Sequence, residues 1–104
     1  MLKKRFRLNT SAFKEVFNFG QTSRTALFLI KKRDNDLKYS RFAVVVSKKI
    51  SKKAFERNYL KRKFMGALGE KGSSLKKADY IFVLNSSAKD VEYKDLITSL
   101  DSLV

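Results

Sequence analysis

Apolar positions along this chain change their period several times, and each change marks an element. Phe13, Val16 and Phe17 fall three and four residues apart, preceded by Asn9, Thr10 and Ser11, whose side-chain oxygens suit a helix N-terminus, and followed by the stop residue Gly20. A short amphipathic helix is predicted there. The run TALFLIK at 25–31 is apolar and β-prone, RDND at 33–36 has turn composition, and RFAVVVS follows at 41–47. Two strands forming a hairpin are the simplest reading, with Asp34 and Asp36 in its turn rather than in a metal pair. Ala43 to Val46 is apolar without alternation, so the second strand is expected to be central and covered on both faces. Leu60, Phe64, Ala67 and Leu68 gather on one stripe at about 100° per residue, which predicts a helix beginning near Ser51. Tyr80-Ile81-Phe82-Val83-Leu84 reads as a strand after the loop GEKGSS, and Tyr93, Leu96, Ile97 and Leu100 mark a last helix. No repeat or linker interrupts the series, so residues 1–104 are expected to form one domain. Helices on one mostly covered sheet make an α+β two-layer sandwich.

Charge then restricts the partner. The 104 residues carry 24 Lys plus Arg against 10 Asp plus Glu, a net charge of +14. Such self-repulsion is relieved when a polyanion docks, and nucleic acid is the first candidate. Residues 1–77 hold net +17 and residues 78–104 net −3, so the polyanion should face the first three quarters of the chain. There is no Cys and no His, which removes thiolate metal sites and the commonest general base. No apolar run is long enough for a membrane span and no signal peptide is visible; a cytoplasmic protein without a small-molecule substrate is expected. Lys3, Lys4, Arg5 and Arg7 make residues 1–8 a basic arm, either phosphate-binding or a frayed, solubilising end.

The densest charge lies in KKISKKAFERNYLKRK, residues 48–63, with eight basic residues against Glu56 alone. Phe55, Asn58, Tyr59 and Arg62 fall roughly opposite the apolar stripe, where burial gives no reason for aromatics. Cations that neutralise phosphates, interleaved with rings that stack on unpaired bases, suit RNA. A merely solvated charged face is the alternative.

Val46-Ser47-Lys48-Lys49-Ile50, followed by Ala54-Phe55-Glu56-Arg57-Asn58-Tyr59-Leu60-Lys61-Arg62, closely resembles the signature of the bacterial ribonuclease P protein component. Phe13-Lys14-Glu15-Val16-Phe17 with Gly20 resembles that family's first helix, and Ala78-Asp79-Tyr80-Ile81 its last strand. Tyr59 stands where the family generally has a second Arg, and Ser51 where it often has Gly. The resemblance implies a central mixed sheet with three helices, like the second domain of ribosomal protein S5, with a left-handed strand-helix-strand crossover instead of the usual right-handed one. It also implies an RNA-binding subunit of a ribonucleoprotein endoribonuclease. There the catalytic RNA, requiring Mg²⁺, removes the 5′ leader of precursor tRNA, and the protein contributes no catalytic or metal-ligating residue. By the same resemblance, Lys48, Lys49, Lys52, Lys53, Arg57, Asn58, Tyr59, Lys61 and Arg62 contact the RNA subunit. Phe13, Phe17, Phe28 and Lys31 line the leader cleft, Lys31 at a position where relatives place an aromatic.

Without the resemblance, Phe13 and Phe17 read as core residues, and partial exposure in a cleft would decide between the two. A ribosomal protein or general RNA chaperone would share the charge and fold but would not need the ordered Arg57-Asn58 and Lys61-Arg62 pattern. A stand-alone nuclease would need a base and metal ligands that this chain hardly offers.

Overall fold

A computed structural model describes residues 3–103; Met1, Leu2 and Val104 lie outside the described residues. After a 3-10 turn at Lys4–Phe6 come α1 (Thr10–Phe19), β1 (Gln21–Arg24), β2 (Phe28–Arg33), β3 (Arg41–Val45), α2 (Ala54–Lys71), β4 (Asp79–Leu84) and α3 (Tyr93–Asp101). Asn9 caps α1 by accepting from the Ala12 amide at 2.8 Å. α1 ends at Gly20, where only glycine fits, since a Cβ would stand 2.5 Å from the Val16 carbonyl and 3.0 Å from that of Lys32. The long helix starts at Ala54, later than its apolar stripe suggests. Ser51 Oγ instead accepts from the Lys53 amide, and Arg57 donates to the Ser51 carbonyl at 3.0 Å, which holds the preceding turn.

The sheet order is β1-β2-β4-β3, with β4 antiparallel to β2 and parallel to β3. The hairpin expected between 25–31 and 41–47 does not form. It lies one step earlier, between β1 and β2, where the Thr25 hydroxyl accepts from the Leu27 and Phe28 amides. All four β1 residues, QTSR, are exposed, so no apolar signal announced this strand. Nor is β3 central. It lies at the sheet edge with Phe42 and Val44 buried and Ala43 and Val45 half-buried, while β4 takes the doubly covered position. The continuous apolar run of β3 joins one face packed on α2 to another left partly open.

The two full layers are the sheet and the α2/α3 pair. Phe28, Ile30, Phe42, Val44, Tyr80, Phe82 and Leu84 point from the sheet into a core completed by Leu60, Phe64, Ala67, Leu68, Leu96 and Leu100. Phe28 meets Phe64 and Phe82 edge to face at 5.4 and 5.2 Å. On the other face the ten-residue α1 covers part of β2 and β4, where Val16 and Ile81 are buried. The arm follows the outer edge of β3: Arg7 bridges to Phe42, and the Leu8 amide donates to the Phe42 carbonyl at 2.9 Å. It thereby covers an edge that would otherwise be open to further strands.

One ion pair locks β3 to β4. Arg41 donates to both carboxylate oxygens of Asp79 at 2.9 and 2.7 Å, and Asn35 from the preceding loop donates to the same carboxylate at 2.7 Å. These bonds hold the Arg41 pKa above its ordinary value, against the opposing desolvation of partial burial. Asp79→Ala would strand a guanidinium whose side chain is only 22% exposed. A loss of about 3 kcal/mol is expected in urea unfolding, the low end for a broken buried pair. A change below about 0.5 kcal/mol would mean that solvent takes over the role of Asp79.

Candidate nucleic-acid interface

α2 presents two different sides. Leu60, Phe64, Met65, Ala67 and Leu68 are buried, whereas Phe55 is 68% and Tyr59 63% exposed, with Asn58, Lys61 and Arg62 also in solvent. Lys48 and Lys49 stand exposed on the turn before the helix, and Lys52 and Lys53 just ahead of its first turn. Among the described residues only Lys53 in this group has an acidic partner, Glu56 at 4.0 Å. Arg57 is half-buried and tied to the Ser51 carbonyl, so its guanidinium is fixed rather than free to sweep. Lys63, by contrast, turns away and donates to the Val91 carbonyl beside α3.

A groove of about 910 Å³ runs between this helix and α1. Arg57, Asn58, Lys61 and Arg62 form one wall, Phe13 stands on the other, and Ala43 and Val45 of β3 lie between them. Phe13 is half-buried and Phe17 is 46% exposed, and their rings stack 6.0 Å apart at 13°. Lys31 Nζ lies 4.9 Å from the centre of the Phe17 ring, so a line of aromatic and cationic groups continues from the groove toward β2. Phe17 and Lys31 do not line the groove itself.

Phe28 does not belong with them. Alternation along β2 turns Phe28 and Ile30 toward α2 and α3 but Lys31 toward α1, and Phe28 is 1% exposed within the core. The sequence reading missed Ala43, Val45 and Met65 as groove residues. Their signal was present as the apolar run 43–46 and one apolar turn of α2, but both resemble core. Among the described residues no cluster of three or more His, Cys, Asp or Glu could hold a metal ion, and no helix is long and apolar enough to cross a membrane.

The ribonuclease P family profile matches residues 2–104. The chain belongs to the ribonuclease P protein family. It is 32% identical over 95 residues to the ribonuclease P protein component of Streptococcus gordonii, covering 90% of this chain and 79% of that protein. It is 30% identical over 96 residues to that of Chromobacterium violaceum, covering 92% and 79%. The fold matches the Thermotoga maritima RNase P protein with a TM-score of 0.81 at 25% identity, over 93% of this chain and 94% of that one. The Staphylococcus aureus RNase P protein shares the fold with a TM-score of 0.80 at 23% identity, covering 94% and 91%. The mixed four-stranded sheet with three helices is thus the ribonuclease P protein fold, and the basic signature runs from the turn after β3 into the first half of α2.

The two phenylalanines separate core from surface. Phe28→Ala should cost about 3 to 5 kcal/mol of folding stability by removing a packed ring. Phe17→Ala, on an exposed helical flank, should stay within about 1 kcal/mol. Chemical denaturation of both variants checks this, and similar losses would place Phe17 in the core as well.

Proposed function

We propose that this protein is the RNA-binding subunit of ribonuclease P and assists a catalytic RNA in removing the 5′ leader from precursor tRNA. The observation that carries the proposal is the adjacency of two surfaces. The exposed cations of α2 form a wall of the same groove whose floor is apolar and whose far side carries Phe13.

Each side chain then has a task. Lys48, Lys49, Lys52, Lys53, Lys61 and Arg62 neutralise phosphates of the RNA subunit and release counterions. Arg57 and Asn58 stand at the corner between that RNA and the groove, with Arg57 pre-oriented by its backbone bond. Tyr59, in place of the family's usual second Arg, offers a ring for stacking. The groove takes the leader as a single strand, because unpaired bases can lie on Ala43, Val45 and the Phe13 ring. Phe17 and Lys31 extend the path toward β2 by the same pairing of ring and cation. The hydrolysis belongs to the RNA subunit with its Mg²⁺. This chain's part is to bind and orient the substrate.

Incubating precursor tRNA with the protein, the RNA subunit or both, at limiting Mg²⁺, tests this division of labour. Cleavage should require the RNA and accelerate when protein is added; cleavage by protein alone would overturn the proposal. In the same system, replacing Lys61 and Arg62 together by Ala should lower the log-log salt slope of binding to the RNA subunit by about 0.7 to 0.9 for each phosphate no longer neutralised. An unchanged slope would place both cations outside the interface.

A further inference from the structure

A second concavity lies near the C-terminal end of α2, where the N-terminal arm, the loop before β3 and the loop before β4 converge. It encloses about 440 Å³ and shares only Phe42 with the groove. That volume suits a small planar ligand, since such sites span roughly 300 to 1,000 Å³. From Asn58 to Gly69 the helix advances about 17 Å at ~1.5 Å per residue, so the cavity lies at the opposite end of α2 from the groove's cationic wall, although the two adjoin at Phe42.

Its chemistry joins flat apolar surface to uncompensated charge. Phe6 and Tyr39 meet edge to face at 5.4 Å, and Phe42, Leu68 and Leu75 complete the apolar lining. Lys3, Lys38 and Lys77 also line it, all exposed and none in an ion pair among the described residues. Among the described residues no Asp or Glu lines it.

Two glycines contribute to the wall, for different reasons. A Cβ at Gly72 would meet the Phe42 ring at 2.9 Å, so packing accounts for that glycine. A Cβ at Gly69 would meet nothing within 4 Å among the described residues. Glycine inside a helix is less stable than alanine, and no neighbour among the described residues requires it at 69. What it provides is bare helix backbone beside the aromatic pair, and so room for an occupant.

We propose that this cavity binds an unpaired nucleotide of an RNA strand, its base against Phe6 and Tyr39 and its flanking phosphates among Lys3, Lys38 and Lys77. A base is planar and carries no charge on its faces, while the phosphates on either side match three cations with no carboxylate between them. The inference rests on RNA binding as the protein's function, but it can fail alone, because Asn58 and Lys61 of the groove do not line this cavity.

Amide NMR of the full chain titrated with oligoadenylate, adenosine 5′-monophosphate or inorganic phosphate tests it. Oligoadenylate should shift the amides of Gly69, Ser73 and Lys77. Gly69→Leu, which puts a side chain into the cavity, should reduce those shifts and leave the shifts at Asn58 and Lys61 in place. Shifts confined to Asn58 and Lys61 would overturn the proposal. So would inorganic phosphate moving the cavity amides as far as oligoadenylate does, or the free nucleotide binding there more tightly than the oligomer. If Gly69→Leu does not fold, the Lys38→Ala, Lys77→Ala double variant decides. A salt slope for oligoadenylate lowered by about 0.7 for each phosphate no longer neutralised supports the site, and an unchanged slope overturns it.

Discussion

The pairing of β4 on both its edges is the constraint from which the functional surface follows. Asp79–Leu84 enters the sheet between β2 and β3, antiparallel to one and parallel to the other. Phe82 on one face and Ile81 on the other are fully buried, and Asp79 at the strand's start clamps Arg41 of β3. Once β4 holds the centre, β3 must take the edge. Its inner face packs on α2, and its outer face, Ala43 and Val45, is left as the floor of a groove between α1 and α2.

The same arrangement decides where the charge acts. The chain's +14 is not spread evenly: the start of α2 carries a cluster with almost no acidic partner, whereas at its other end Lys71 pairs with Asp101 and Tyr93 donates to Glu70. Unpaired cations at a surface repel one another, and a bound polyanion removes that penalty. A groove with apolar floor, aromatic side and cationic wall therefore favours a strand whose bases are exposed over a closed duplex, whose bases are hidden from contact.

Much of this was legible in the residues. The periodic apolar positions of α1, α2 and α3 were enough to place all three helices, and Tyr80 to Leu84 announced β4, because helices and a doubly buried strand write their packing into the sequence. The pairing of strands was not legible in the same way. A run such as Ala43 to Val46 reads alike whether its second face meets a helix or lines a groove, and a strand such as Gln21 to Arg24 that buries nothing leaves no apolar trace. Phe28 was assigned to the cleft without the register that turns it inward beside Phe64 and Phe82. The family signature from Val46 to Arg62 was readable because its charges and aromatics have no packing reason to be there.

The absence of cysteine from the sequence makes one measurement especially direct. A single photoreactive group attached at Val45→Cys sits on the groove floor, and a control at Ser99→Cys lies on α3. In the complex of protein, RNA subunit and precursor tRNA, the groove probe should crosslink to leader nucleotides immediately 5′ of the cleavage site, and the α3 probe should not. Crosslinks from Val45→Cys that fall only on the RNA subunit or on the mature tRNA body would contradict a leader-binding groove.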